Sequence, residues 1–334
     1  CCVQINGVAC LNHWSTKVLY WFIKTWQRPT RQSSFSRFCK VLVACCVQIN
    51  GVSTSTEKFE TMKIELLACL CLFAFAEAFI EPAADLGRIQ NRIVSGSPAS
   101  LGQFPWQVIL KKDPIEDLLC GGSIIAANWV LTAGHCTYGL SSIFIMFGTV
   151  LLNNPNALNM TSTQLYINPN YNGETLNNDV SLIQLPTPLT FSKYIQPIQL
   201  VTNNDANFNF IGQVATIAGF GLTDDDNLDS SNIMLYARVQ IINNSQCADV
   251  FGTSVVIPST LCAKGENGTD MSICSGDSGG PLITRDTNGN WMQIGINSFV
   301  AQDMCTMMYP SGYARLTSFL GYISQVTGMD FNSY

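Results

Sequence analysis

The chain has 334 residues, 17 Lys and Arg against 23 Asp and Glu for a net charge of −6, and 47% hydrophobic residues. Residues 93–334 are more acidic still, with seven Lys and Arg against 17 Asp and Glu, which disfavours nucleic acid as a partner because phosphate binding wants clustered basic side chains. No apolar run reaches the roughly 20 residues of a membrane-spanning helix.

Residues 1–61 hold six of the 14 cysteines, and the octapeptide starting at Cys1 recurs at Cys45. Two copies do not make a repeat array, which needs about three to bury a continuous core. The segment is read as upstream sequence rather than a small cysteine-rich module. Met62 and Lys63 then open a secretory leader, residues 62–78: a basic start, an apolar run over 66–75, and the small-x-small site Ala76-Glu77-Ala78. The product begins at Phe79, soluble and extracellular. Residues 79–92 form a short polar prosegment without cysteine, ending at Asn91-Arg92 before Ile93-Val94-Ser95-Gly96.

Residues 93–334 are long enough for a large core. Short β-prone runs at 106–110, 123–125, 180–185, 214–218 and 291–296 recur between Gly, Pro and Asn breaks, which predicts an all-β fold, a sandwich or barrels. Leu316, Phe319, Leu320, Ile323 and Val326 recur at helical spacing and predict one closing helix. The acidic run Asp224-Asp225-Asp226 lacks metal-loop spacing and is read as a solvated loop. Six cysteines remain here, an even number that suits a disulfide framework in a secreted product but leaves 15 connectivities open. No C-x-x-C pair occurs among them, so a zinc site is not expected.

Three stretches carry chemistry. Cys274-Ser275-Gly276-Asp277-Ser278-Gly279-Gly280-Pro281 places a serine on a glycine-flanked turn, where the Gly276 and Ser278 N–H groups can converge on a developing oxyanion. Leu131-Thr132-Ala133-Gly134-His135-Cys136 contains the single histidine of residues 93–334, and serine activation needs such a base. Asn178-Asp179-Val180-Ser181-Leu182-Ile183 sets an acid at the head of an apolar strand.

Together these motifs resemble the chymotrypsin-like serine protease family, across essentially all of residues 93–334. Asn297-Ser298-Phe299-Val300, Ala218-Gly219-Phe220-Gly221 and the ending Thr327-Gly328-Met329-Asp330-Phe331 look like the arthropod brachyurin branch. The resemblance implies two six-stranded antiparallel Greek-key barrels, with the active site in the cleft between them and a C-terminal helix. It implies catalysis by His135, Asp179 and Ser278, with Ser298 supporting the aspartate. It implies disulfides Cys120–Cys136, Cys247–Cys262 and Cys274–Cys305. It also implies activation by cutting after Arg92, whereupon the freed Ile93 amine pairs with Asp277.

By the same alignment Ser272 forms the floor of the substrate pocket beside Ile273, Phe299 replaces the commoner Trp, and Val300 and Ser311 occupy wall positions that are often glycine. Asp303 falls near the entrance. A neutral, narrowed pocket implies cleavage after apolar residues, and hence a separate trypsin-like activator for the Arg92 junction. Gly134 stands where the family usually has Ala. Residues 149–165 contain no acid, so the calcium site of some relatives is not expected, nor any other metal or cofactor. Asn159, Asn243 and Asn267 begin glycosylation sequons. Protein or peptide substrates and inhibitor proteins are the expected partners of a monomer. The competing reading is an inactive homologue serving as a secreted binding or regulatory protein, which the intact set of three catalytic residue types disfavours.

The leader reading predicts that secreted precursor starts at or near Phe79. Mass spectrometry of secreted material checks it, and peptides from residues 1–61 in that material contradict it.

Overall fold

The computed structural model describes residues 96–332 except 224, 226–228 and 302–303. The leader, the prosegment, Arg92, Ile93 and Asp303 lie outside the described residues.

Strand β1 (Ser97–Pro98) precedes a first sheet built from β2 (Gln107–Lys111), β3 (Cys120–Ala126), β4 (Trp129–Thr132), β5 (Ile143–Phe147), β6 (Leu158–Ser162), β7 (Gln164–Ile167) and β8 (Ser181–Gln184). The hydrogen-bonded order is β6-β5-β2-β3-β4-β8-β7, antiparallel throughout. Its two outer strands, β6 and β7, are separated in the chain only by Thr163. One residue cannot make a hairpin, which needs at least a two-residue loop. The sheet therefore curls round on a single bent segment, 158–167, instead of closing by pairing. Counted as one bent strand, that segment brings the number to six. The Ser162 hydroxyl sits at the bend, donating to the Gln184 carbonyl at 2.6 Å and accepting from Gln164 N–H at 3.0 Å.

The second half contains β9 (Gln199–Leu200), β10 (Val214–Gly219), β11 (Leu235–Ile242), helix α1 (Asn244–Phe251), β12 (Thr260–Gly265), β13 (Pro281–Arg285), β14 (Trp291–Phe299), β15 (Ser311–Arg315) and helix α2 (Leu320–Thr327). Here the order β11-β10-β13-β14-β15-β12 returns to β11, a closed barrel of six strands. β1 adds outside β11, and β9 lies parallel to β14. The alternation of a half-buried strand is plain in β11, where Leu235, Ala237, Val239 and Ile241 are buried and the residues between them are not. Ser123 of β3 donates to Gln293 Oε1 of β14 at 2.7 Å, a fully buried polar tie between the two sheets.

The closing helix starts later than its apolar spacing suggests. Leu316–Ser318 is a 3₁₀ turn, Phe319 leaves helical geometry at φ −120°, and α2 runs from Leu320 until Gly328 stops it in the left-handed region. Helix α1 escapes a pattern search because only Cys247 on it is buried; Asn243 caps it by accepting from Ser245 N–H at 3.0 Å. The three disulfides are Cys120–Cys136, Cys247–Cys262 and Cys274–Cys305, the pairing implied by the resemblance. Among the described residues no helix is long and apolar enough to cross a membrane.

Candidate active site

His135 follows β4, and the Cys120–Cys136 bridge pins the loop that carries it to β3. Asp179 leads into β8, after Asn178 turns the chain with φ +56°. Strands β4 and β8 pair side by side, so their adjacent ends bring the two residues together. The Asp179 carboxylate is 1% exposed and accepts from His135 N–H (2.9 Å), His135 Nδ1 (2.8 Å) and the Ser298 hydroxyl (2.5 Å). A proton on Nδ1 leaves Nε2 as the basic nitrogen of the neutral ring, which is about a quarter exposed. Ser298 reaches Asp179 because β14 bulges there: Asn297 pairs with Tyr313 and Phe299 with Gly312, so Ser298 has no cross-strand partner.

Ser278 sits on the turn before β13. Asn297 stitches that turn to β14, donating from Nδ2 to the Asp277 carbonyl at 2.8 Å and accepting from Gly279 N–H at 2.8 Å. Gly121 N–H on β3 donates to the Ser278 carbonyl at 2.8 Å, which ties the turn to the first sheet as well. Gly276 has φ +94°, and a Cβ on it would lie 2.8 Å from Leu118 Cδ2, so glycine is required twice over. The N–H groups of Asp277, Gly279 and Gly280 are all bonded. Those of Gly276 and Ser278 donate to nothing among the described residues, and no hydrogen bond joins the Ser278 hydroxyl to His135.

Asp277 is sealed from solvent and accepts from Gly221 N–H at 2.8 Å and Cys274 N–H at 3.0 Å. A Cβ at Gly219 would lie 2.1 Å from its Oδ1, and one at Gly221 2.6 Å from its Oδ2, so two glycines form the cradle. Burial pushes its carboxyl up to about 7, against the pull of the two N–H donors. No cation reaches it among the described residues.

A cavity of about 250 Å³ opens beside Ser278, lined by Ile273, Ser298, Phe299, Val300 and the Cys274–Cys305 bridge, together with Leu176, Leu222 and Asp225. Of the predicted pocket residues, Ser272 and Ser311 are buried without lining it, and the Ser311 hydroxyl pairs with Tyr313 OH at 2.7 Å. The Phe299 ring lies across the strand over Gly312, where a Cβ would come within 2.1 Å of it, and packs edge-on against Phe251 of α1.

Motif reading does not reach Leu176, Leu222, Asp225 or Tyr171. Tyr171 takes the room that Gly134 leaves: a Cβ there would lie 3.1 Å from the ring and 3.2 Å from Asp179 Oδ1. Its own burial, then the charges of Asp179 and Tyr138, push the Tyr171 hydroxyl up to about 12.

A serine on a glycine turn, an imidazole held by a sealed carboxylate and a cavity beside that serine, carried by two β-sheets, define the class of serine hydrolases built on paired barrels. The profile of the family described as Trypsin matches residues 93–323, and the chain belongs to that family. It is a serine endopeptidase. The chain is 33% identical over 273 residues to "Collagenase" of Hypoderma lineatum, covering 81% of this chain and all of the relative. It is 34% identical over 239 residues to "Brachyurin" of Leptuca pugilator, covering 71% of this chain and 99% of the relative. The crystal structure of HL collagenase matches with a TM-score of 0.64 at 32% identity, over 72% of this chain and all of that one.

The Asp277 environment makes a prediction with a definite sign. A carboxyl raised above its ordinary value near 4 keeps its proton in the folded state while the unfolded chain has ionised, so stability falls as pH rises from about 4 to about 7. Urea unfolding of the uncut chain should show that fall relative to Asp277→Asn. Parallel pH profiles for the two proteins contradict it.

Proposed function

We propose that the chain is made as a secreted precursor, is activated by cutting after Arg92, and cleaves peptide bonds after apolar residues. The observation that carries the chemistry is the pair of unused N–H groups, Gly276 and Ser278, on a turn whose Asp277, Gly279 and Gly280 amides are bonded. Donors of this kind cost no reorganisation when an oxyanion forms.

In this reading Ser278 Oγ attacks the scissile carbonyl as His135 Nε2 takes its proton. The tetrahedral oxyanion rests on the two N–H groups. The C–N bond breaks as His135 passes the proton to the leaving amine, and water then repeats the sequence on the acyl-enzyme. Asp179 holds the tautomer and stabilises the imidazolium throughout, as in the known template of this class. Cutting at Arg92 frees the Ile93 α-amine, a cation suited to a carboxylate sealed inside the glycine cradle.

Specificity follows from the cavity walls. Ile273, Leu222, Phe299 and Val300 are apolar, and the Ser311 hydroxyl is taken up by Tyr313 OH. The one carboxylate present, Asp225, already accepts three protein donors. Such walls favour Leu, Met, Ala and Val, and a missing methylene shifts selectivity by only ~1–3 kcal/mol, which makes the preference broad. An enzyme of this kind does not efficiently cut its own Arg92 junction and depends on a trypsin-like activator.

The test is kcat/KM on peptides differing only at the residue before the cut. Leu, Met, Ala or Val should equal or exceed Phe and Tyr, with Arg and Lys far behind. A preference for Arg or Lys overturns the pocket assignment, and a Phe preference of about a hundredfold shows that Val300 does not narrow it.

A further inference from the structure

Within the acidic run, Asp225 does more than sit in a solvated loop. Asp225 reaches 80 residues along the chain to the turn that follows the pocket disulfide. Its Oδ1 accepts from Cys305 N–H at 2.6 Å, and its Oδ2 accepts from Thr306 N–H at 3.1 Å and from the Thr306 hydroxyl. Burial raises its carboxyl, but the Thr306 hydroxyl, the Thr306 N–H and the Cys305 N–H outweigh that and hold it below its ordinary value, so it stays charged. Hydrogen bonds to an ionised acceptor are the stronger kind.

The segment it grips needs gripping. Residues 304–309 present Met304, Met307, Met308 and Tyr309 to solvent, and none of these four is buried. Their own hydrogen bonds are short-range turns, Met304 to Ala301 and Met307 to Met304. Among the described residues every hydrogen bond from 304–309 to a distant part of the chain ends on Asp225. The other attachment is the Cys274–Cys305 bridge, against which Val300 and Leu222 pack. A disulfide fixes one point and leaves rotation about it, whereas three donors on one carboxylate fix the orientation of the turn. The opposite end of the clamp is itself anchored, since Leu222 N–H donates to the Ser275 carbonyl at 2.7 Å. Asp225, Leu222, Val300 and Cys305 all line the cavity beside Ser278.

We infer that Asp225 is a positioning residue for substrate selection: it clamps the Cys305–Thr306 turn to the 219–225 segment and so sets the width of the pocket. This rests on the proposed reading of that cavity as the pocket for the residue before the cut. The carboxylate acts through the wall rather than by pairing with a basic substrate, because its lone pairs are largely taken by the turn.

The experiment compares Asp225→Ala, Asp225→Asn and Thr306→Val with the parent, each activated in the same way. Two substrates are used: a Leu peptide, which fills the pocket, and p-nitrophenyl acetate, which has no side chain to place there. Asp225→Ala should raise KM for the Leu peptide by ~10-fold or more, since misplacement of a binding wall by about 1 Å can cost up to ~100-fold. The loss on the ester should be several-fold smaller than the loss on the peptide. Asp225→Asn and Thr306→Val should shift KM the same way by less, and they carry the test if the alanine variant does not fold. Unchanged KM in the variants overturns the inference. So does an equal loss on ester and peptide, which marks a general structural role. A parent that is silent on the ester sinks the proposed activity itself, and a parent active on the ester with variants indifferent on the peptide sinks only the clamp.

Discussion

A carboxylate shut away from water organises this molecule. Asp179 would be costly to bury alone, and a charge in such a place persists only when it is hydrogen-bonded. Three donors meet it, from His135 after β4 and from Ser298 on β14, so the bonds span both halves of the fold. The catalytic geometry and the registration of the two sheets thus depend on one group. Sliding one sheet past the other would strand the charge.

A second sealed carboxylate is treated differently. Asp277 has two N–H donors and a cradle of two glycines, and among the described residues it meets no cation. Asp179 is satisfied as it stands, whereas Asp277 is under-compensated and its carboxyl is raised. The backbone around Asp277 is also the backbone that presents the Gly276 and Ser278 N–H groups. Whatever settles that charge therefore acts within one residue of the two donors, which gives the proposed activation cut a physical route to the active site.

The residues legible in sequence are those whose chemistry is announced locally. A serine between glycines, a lone histidine and an aspartate before an apolar strand each stand in a short motif, and the structure sets His135 directly on Asp179. Five strand positions are readable from β-prone runs between breaks, those of β2, β3, β8, β10 and β14. The disulfide pairing is not: composition leaves 15 connectivities, and only the family resemblance chooses among them. The residues that stayed hidden act across long stretches of chain. Tyr171 fills the gap at Gly134, Leu176 and Leu222 enter the pocket from separate segments, and Asp225 finds its donors 80 residues away. Helix α1 was invisible because it buries little and so has no apolar stripe to show. The bent segment at 158–167 likewise follows from closing a curved sheet, which no local pattern records.

The central claim is that Ser278 becomes a competent nucleophile when the Ile93 amine is freed to settle the charge on Asp277. The direct measurement is the rate and site of labelling by an organophosphonate before and after treatment with a trypsin-like enzyme, in the parent and in Arg92→Gln. Stoichiometric label on Ser278 is expected in the cut parent, and little or none in the uncut parent or in treated Arg92→Gln. Equal labelling of cut and uncut chains, or label on a residue other than Ser278, would contradict it.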